Sequence, residues 1–205
     1  MHHVHTIGID EVGRGPLAGP VAVGVVAVSR KHMPVFVRMF RDVKDSKQLS
    51  EKAREVWFGK LRNAREEGTL DYTVAMVGAP SIDRIGIVRS IRIAMARALT
   101  RLACDPRQSR VLLDGSLYAP TAYSDQRTII RGDESERIIA TASIVAKVTR
   151  DRKMKRLARQ FPDYGFERHK GYGTAEHIEA IRSCGKITGI HRQSFLGKIE
   201  IDVNP

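Results

Sequence analysis

The stretch TIGIDEVGRGPLAGPV, residues 6–21, sets the problem. An apolar run ends in two adjacent carboxylates, Asp10 and Glu11, and Gly13-Arg14-Gly15 follows at once. The run before the turn, residues 5–10, and the run after it, PVAVGVVAV at 20–28, are rich in β-branched and small apolar residues. Both read as strands. So short a connection favours an antiparallel pair. GRGPLAG is neither of two familiar phosphate loops. No Gly-Lys-Ser/Thr is present, the third glycine falls one residue late at Gly19, and a strand rather than a helix follows. What remains is a turn of little bulk, where backbone can come close to a ligand. Arg14 adds a positive charge beside the acids.

Outward from this hairpin the pattern alternates. LSEKAREVWFGKLRNAREEG reads as a helix over about 51–66, with Ser50 as N-cap, Glu51 in the first turn and Gly68 just past the end. TLDYTVAMV is a third strand. One long helix is expected from Pro80-Ser81 to about Leu102, because Ile85, Val88, Ile91, Met95, Ala98 and Leu102 recur at three or four residues. SRVLLDG is a fourth strand ending at Asp114-Gly115, and RTIIRGD a fifth ending at Gly132-Asp133. Residues 135–160 read as a helix with an apolar stripe and a strongly basic second half. TAEHIEAIRS is a short helix opening at Thr174 and His177, and HRQSFLGKIEIDVNP has no assigned element. This order predicts an α/β fold, a mixed sheet with helices on both faces.

The chain has 205 residues, which fits one domain with a small C-terminal appendage. Lys plus Arg number 35 against 23 Asp plus Glu, a formal charge of +12. That surplus favours a polyanionic partner, nucleic acid before an anionic membrane face. Two cysteines, Cys104 and Cys184, imply no disulfide framework. No apolar run approaches a membrane span and the N-terminus lacks a signal-peptide pattern, so a cytoplasmic protein with no membrane role is expected. His2, His3 and His5 read as a mobile terminus rather than a metal site.

Three predicted strands end in acids: Asp10-Glu11, Asp114 and Asp133. Strand ends of an open α/β sheet are where ligands bind. Convergent carboxylates repel one another and raise their own pKa values, and a divalent cation removes that penalty. Oxygen donors select hard ions, Mg²⁺ or Mn²⁺. Two such ions can activate water and stabilise the leaving oxygen in phosphodiester hydrolysis. One difficulty is geometric: successive side chains on a strand face opposite ways. Either the strand breaks at Glu11, or Glu11 contributes from the edge of the site.

GIDEVGRGPLAGPV, DSKQLS, LLDGS, ASIVAKVTRDR and HKGYGTAEH, in this order, resemble ribonuclease HII, the bacterial type 2 ribonuclease H, over about residues 6–195. The resemblance implies a ribonuclease H-like core, 1–160, and a small helical C-terminal segment, 161–205, that completes the substrate site. It implies cleavage of the RNA strand of RNA–DNA hybrids, and cleavage 5′ of single ribonucleotides embedded in duplex DNA. It maps the four catalytic, metal-binding acids onto Asp10, Glu11, Asp114 and Asp133. Asp10 and Asp114 would hold the ion that activates water. Glu11 and Asp133 would share the second. Gly13, Arg14 and Gly15 match the reader of the ribose 2′-hydroxyl, the group that distinguishes RNA from DNA. Tyr172 matches the residue that packs on the neighbouring sugar. Lys47 and Lys147, with Arg150 and Arg152, are expected to hold phosphates. His177 and His191 read as structural histidines. The chain departs from the family in GDESE, 132–136, where a lysine often follows the fourth acid, so Asp133 and Glu134 both remain candidates. The tail to Pro205 shows no clamp-binding peptide, and a monomer is expected. A non-catalytic nucleic-acid-binding protein and ribonuclease HIII are the rival readings.

Overall fold

The computed structural model describes residues 3–115 and 117–197. The tail on which the clamp-peptide expectation rests lies largely outside them, as does His2. The elements run β1 (His5–Val12), β2 (Val21–Ser29), α1 (Met33–Met39), α2 (Glu51–Glu66), β3 (Asp71–Val77), α3 (Ala79–Ile85), α4 (Ile87–Leu102), β4 (Ser109–Asp114), β5 (Asp125–Ile129), α5 (Gly132–Ser135), α6 (Arg137–Gln160), α7 (Phe166–His169) and α8 (Ala175–Cys184). The strands form one sheet in the order β3-β2-β1-β4-β5. β1 is antiparallel to β2 and parallel to β4, and β4 is parallel to β5. The predicted α/β mixed sheet is therefore present, with the hairpin at its centre.

Alternation along β1 and β2 divides the core. Ile7, Ile9, Val23 and Val25 face one side and pack with Ile91, Met95 and Leu99 of α4. Val26 and Val28 face the other and pack with Ile138, Ile139 and Val145 of α6, backed by Phe36, Phe40 and Leu61. Each such side chain, fully buried, contributes roughly 1.5–3 kcal/mol. Glycines interrupt the β-branched runs on the α6 side for a steric reason. A Cβ at Gly8 would stand 2.4 Å from the Ile138 carbonyl oxygen, and one at Gly24 would stand 2.4 Å from that of Ala142. The helix backbone lies directly on the sheet. That contact brings the middle of α6, including Ser143, to the C-terminal end of β1.

Helix ends follow the capping rules. Ser50 accepts from the Ala53 amide and Thr174 from the His177 amide, each satisfying a first-turn donor. The long helix expected to Leu102 is two helices, because Gly86 has φ +81° and ends α3. The fifth strand stops at Ile129 rather than Asp133: Arg131 adopts a left-handed conformation at φ 54° and turns the chain into α5. The N-terminus is more tied down than expected. His5 opens β1, and His3 Nε2 lies 2.5 Å from Asp125 Oδ2. Among the described residues no helix is long and apolar enough to cross a membrane.

The segment after α6 packs on its second half. Tyr164 and Phe166 stack at 5.6 Å between centroids and join Met154, Leu157 and Ala18 in a third apolar cluster. The segment also pairs with the 13–20 turn. The Leu17 amide donates to the Gly171 carbonyl, the Arg192 amide to that of Leu17, and the Gly19 amide to that of Ile190.

Candidate active site

β1 outlasts its parallel partner. Pairing with β4 ends at Ile9–Leu113, whereas pairing with β2 continues to Val12–Ala22. Ile9 and Leu113 both point into the α4-side core. The next residue of each strand, Asp10 and Asp114, therefore points to the α6 side. Glu11 sits within the strand, not at a break, and reaches the site from its edge. Its Oε1 lies 3.3 Å from Arg14 Nη1, and its Oε2 is buried with no hydrogen-bond partner.

The fourth acid comes from α5. Asp114 Oδ1 accepts from the amides of Gly132, at 2.8 Å, and Asp133, at 3.4 Å. This carboxylate thus holds the turn that carries Asp133. Asp133 is buried, while its neighbour Glu134 points outward to pair with Arg131 at 2.6 Å. Of the two adjacent acids in GDESE, the inward one is Asp133.

Lys47 enters from the far side. Its Nζ lies 2.8 Å from Asp133 Oδ2. The short helical turn that presents it is capped by Asp45, whose side chain accepts from the Lys47 amide. Asp45 is itself buried, and Ser143 Oγ donates to it at 3.4 Å while standing 2.7 Å from Ser46 Oγ. Asp45 and Ser143 were not singled out in the sequence. A cap in Asp-Ser-Lys was the available signal for Asp45, and Ser143 on an apolar helix stripe had none.

The electrostatics are those of crowded, buried acids. Burial pushes the Asp10 carboxyl well above the usual range, with Glu11, Asp114 and Asp133 adding to the rise and the nearby Ser143 hydroxyl opposing it. Burial likewise raises Glu11, and Arg14 opposes the rise while Asp114 adds to it. Asp45 is raised by burial and by Asp133 against the Lys47 amide. Burial alone would lower Lys47, but Asp133 outweighs it and holds the ammonium charged. Such a set, all oxygen, with Asp10 and Glu11 raised by burial and one buried oxygen unpartnered, suits a hard divalent cation. Among the described residues no three acid, His or Cys side chains already stand close enough together to hold a metal ion. The acids line an open end of the sheet, with Lys47 as the cation beside Asp133.

Beside the acids the Gly13–Gly15 turn is built by two different requirements. Gly13 has φ +84°, and a Cβ there would meet Arg150 Nε at 2.2 Å, so the fold needs glycine. Gly15 is exposed, its φ lies outside the left-handed region, and a Cβ would meet nothing within 4 Å. Nothing inside the protein requires glycine at 15. Arg14 projects outward with 49% of its side chain exposed. Tyr172, 40% exposed, stands on the adjoining segment with Arg150 5.8 Å from its ring centroid.

The basic residues divide differently from the sequence expectation. Lys147 Nζ lies 2.9 Å from Asp151 Oδ1 and its side chain is only 15% exposed. Arg150 is fully buried, with its guanidinium donating to the carbonyls of Pro20, Ala18 and Lys170. Arg152 pairs with Glu55 at 2.6 Å. Arg150 lies inside the fold, Lys147 is partly buried against Asp151, and Arg152, 48% exposed, bridges α6 to α2. His169 and Lys170 are buried too, and Lys170 Nζ bonds the Glu167 carbonyl.

His177 and His191 are the structural pair expected. The backbone partners fix their tautomers. His177 Nδ1 donates to the Tyr172 carbonyl, so its Nε2 accepts from His191 Nε2 at 3.2 Å, and His191 Nδ1 accepts from the Ile187 amide. Burial lowers each to about 4. The largest residue missed in the sequence is Arg192. Buried completely, it donates to the carbonyls of Gly19, Arg14 and Gly13 at 3.0, 3.0 and 2.7 Å.

Comparison with known proteins adds an independent line. The family model for ribonuclease HII matches residues 7–198. The chain is 41% identical over 201 residues to a ribonuclease HII of Fusobacterium nucleatum subsp. nucleatum, covering 97% of this chain and 89% of that one. It is 44% identical over 188 residues to a ribonuclease HII of Endomicrobium trichonymphae, covering 92% and 83%. The crystal structure of the ribonuclease H2 from Pyrococcus horikoshii OT3 superposes with a TM-score of 0.69 at 26% identity, covering 93% of each chain.

Proposed function

Because the chain belongs to the ribonuclease HII family of endoribonucleases, we propose that it hydrolyses the RNA strand of RNA–DNA hybrids and also cuts 5′ of single ribonucleotides in duplex DNA, using divalent metal ions. The observation that carries this reading is one contiguous stretch of backbone. It presents the buried Asp10 and the partly buried Glu11, and four residues on an exposed glycine with no internal reason to be one. A site that must tell ribose from deoxyribose needs its reader within a nucleotide of its chemistry, and this turn supplies it.

Asp10, Glu11, Asp114 and Asp133 are the residues that would hold Mg²⁺ or Mn²⁺. Two bound ions supply activation of the attacking water and stabilisation of the leaving 3′-oxygen. The chain's own groups do the rest. The Gly132 amide orients Asp114, and the Lys47 amide, with the Ser143 hydroxyl, holds Asp45 beside the acids. Backbone groups of Gly13–Gly15 read the 2′-hydroxyl, and Arg14, drawn toward Glu11, lies where a phosphate would approach. Tyr172 offers an exposed aromatic face to the adjoining sugar. Lys47 is the exposed cation of the set, whereas Lys147 would need to leave Asp151 to touch a phosphate. The enzyme acts as a cytoplasmic monomer in this reading.

The test uses two DNA duplexes that differ by a single ribonucleotide. Each is incubated with Mg²⁺ or Mn²⁺, with and without chelator, and the ends are mapped. The expected result is a metal-dependent cut 5′ of the ribonucleotide, leaving 3′-hydroxyl and 5′-phosphate ends, and none in plain DNA. Salt-sensitive binding without cutting in either metal would favour the non-catalytic reading.

A further inference from the structure

Two arginines, Arg150 and Arg192, are fully buried beside the 13–20 turn, and among the described residues no carboxylate stands at hydrogen-bond distance from either. A buried charge left to itself is costly, and the cost must be repaid locally. Here it is repaid by carbonyl oxygens. Arg192 spends all three of its donating nitrogens on this turn, two of them on Gly13 and Arg14. Burial and the neighbouring Arg150 charge lower Arg192 to about 10, while Asp83, an acid that favours its charge, is occupied by the amides of Gln193 and Ser194. A side chain at such expense does more than fill space, since a well-packed apolar residue would be cheaper.

The residue before it reaches the other recognition element. His191 Nε2 donates to His177, and His177 Nδ1 donates to the Tyr172 carbonyl at 2.9 Å. Consecutive residues thus brace the glycine turn and the tyrosine shelf, which lie on segments about 160 residues apart in sequence. We propose that His191 and Arg192 are positioning residues, which set the spacing between the Gly13–Gly15 turn and Tyr172 and so the selectivity for a ribonucleotide. The proposal rests on the reading of that turn as the 2′-hydroxyl reader.

The test compares kcat and KM on a duplex with one ribonucleotide against the inhibition constant of the same duplex made only of DNA. If the wild-type enzyme does not cut the first duplex, the functional reading itself fails. If it does, Arg192→Met should lower kcat/KM by at least ~10-fold and leave inhibition by plain DNA within twofold, with Arg192→Lys intermediate. Parallel loss in both, or loss in neither, overturns the proposal. Should Arg192→Met not fold, Arg192→Lys carries the same comparison: a selective loss supports the idea and a wild-type ratio sinks it. For the second arm, His191→Phe keeps the ring packing against Tyr164 and Phe166 and removes the donor. Its effect should vanish in a Tyr172→Ala background, because both act through the same shelf. Additive losses would overturn that arm and with it the coupling.

Discussion

Lys47 Nζ lies 2.8 Å from Asp133 Oδ2, so an ammonium stands where the acidic cluster most needs positive charge. The lysine is 71% exposed along its side chain and Asp133 only 5%. The pair therefore contributes little net stability, at most about 1 kcal/mol after solvent screening. Its consequence is competition. An ion bound by Asp133 must share that carboxylate with Lys47 or displace it. Lys47→Met should therefore melt slightly lower without metal, and saturating Mn²⁺ should raise its melting temperature by more than it raises that of the wild type. An equal or smaller rise in the variant would show that Lys47 and the ion do not meet at Asp133.

The two glycines of the turn separate fold from function. Gly13→Ala puts a Cβ against the buried Arg150 at φ +84° and should destabilise the protein by about 1–3 kcal/mol. Gly15→Ala meets nothing and should melt within a degree or two of the wild type. If substrate backbone approaches there, the added methyl should still cut activity on an embedded ribonucleotide by about 100-fold. Thermal melts and one cleavage assay on both variants decide this. Near-normal cleavage by a well-folded Gly15→Ala would remove the turn from the recognition site.

Much of this arrangement was legible in the sequence, and the gaps have physical causes. The alternation of β1 and β2, the stripe of α4, and the caps at Ser50 and Thr174 are local signals, and each element formed where its signal lies. The adjacency of Asp10 and Asp114 followed from reading both as strand ends. Asp133 was misplaced by four residues beyond its strand because RTIIRGD is β-branched up to a turn that hinges on Arg131, a residue type rarely left-handed. α1 went unassigned, being a single seven-residue segment whose one cue was Pro34 in the first turn. Arg150 and Arg192 were opaque for a deeper reason. Their acceptors are main-chain carbonyls up to 179 residues away, and a charge count cannot tell a guanidinium that holds carbonyls from one that meets solvent.

Asp10 carries a stability cost that mutation should reveal. Its carboxyl is raised in the folded protein, so the unfolded chain loses its proton first as pH rises. The stabilisation it gives is complete below the unfolded value and is lost as pH climbs toward the folded one. Near neutral pH, without metal, Asp10→Asn should thus be more stable than the wild type. Cleavage should fall by more than about 100-fold, while binding to a hybrid is retained. Chemical unfolding in chelator and a gel-shift measure the two halves. A variant that is both less stable and fully active would remove Asp10 from the acid cluster's chemistry.

The histidine pair shifts stability in the opposite sense. His177 and His191 titrate near 4 in the folded protein, against 6.5 in a solvated chain. Their neighbours bear on this: His169, stacked on His177 at 4.4 Å, adds to the lowering of His177, and Glu176 opposes it. Between these two pH values the unfolded chain binds more protons, so stability is full above about 6.5 and falls as pH drops toward 4. The upper limit is about 3 kcal/mol for each ring. Because His177 holds the Tyr172 carbonyl and His191 holds His177, the loss should begin at the tyrosine shelf. Denaturant unfolding between pH 7 and 4.5 should show a steep decline in the wild type and a shallower one in His177→Gln, with the difference confined to that window. Parallel curves for the two proteins would assign the acid sensitivity to carboxylates elsewhere, and would free the histidines from any part in holding Tyr172 in place.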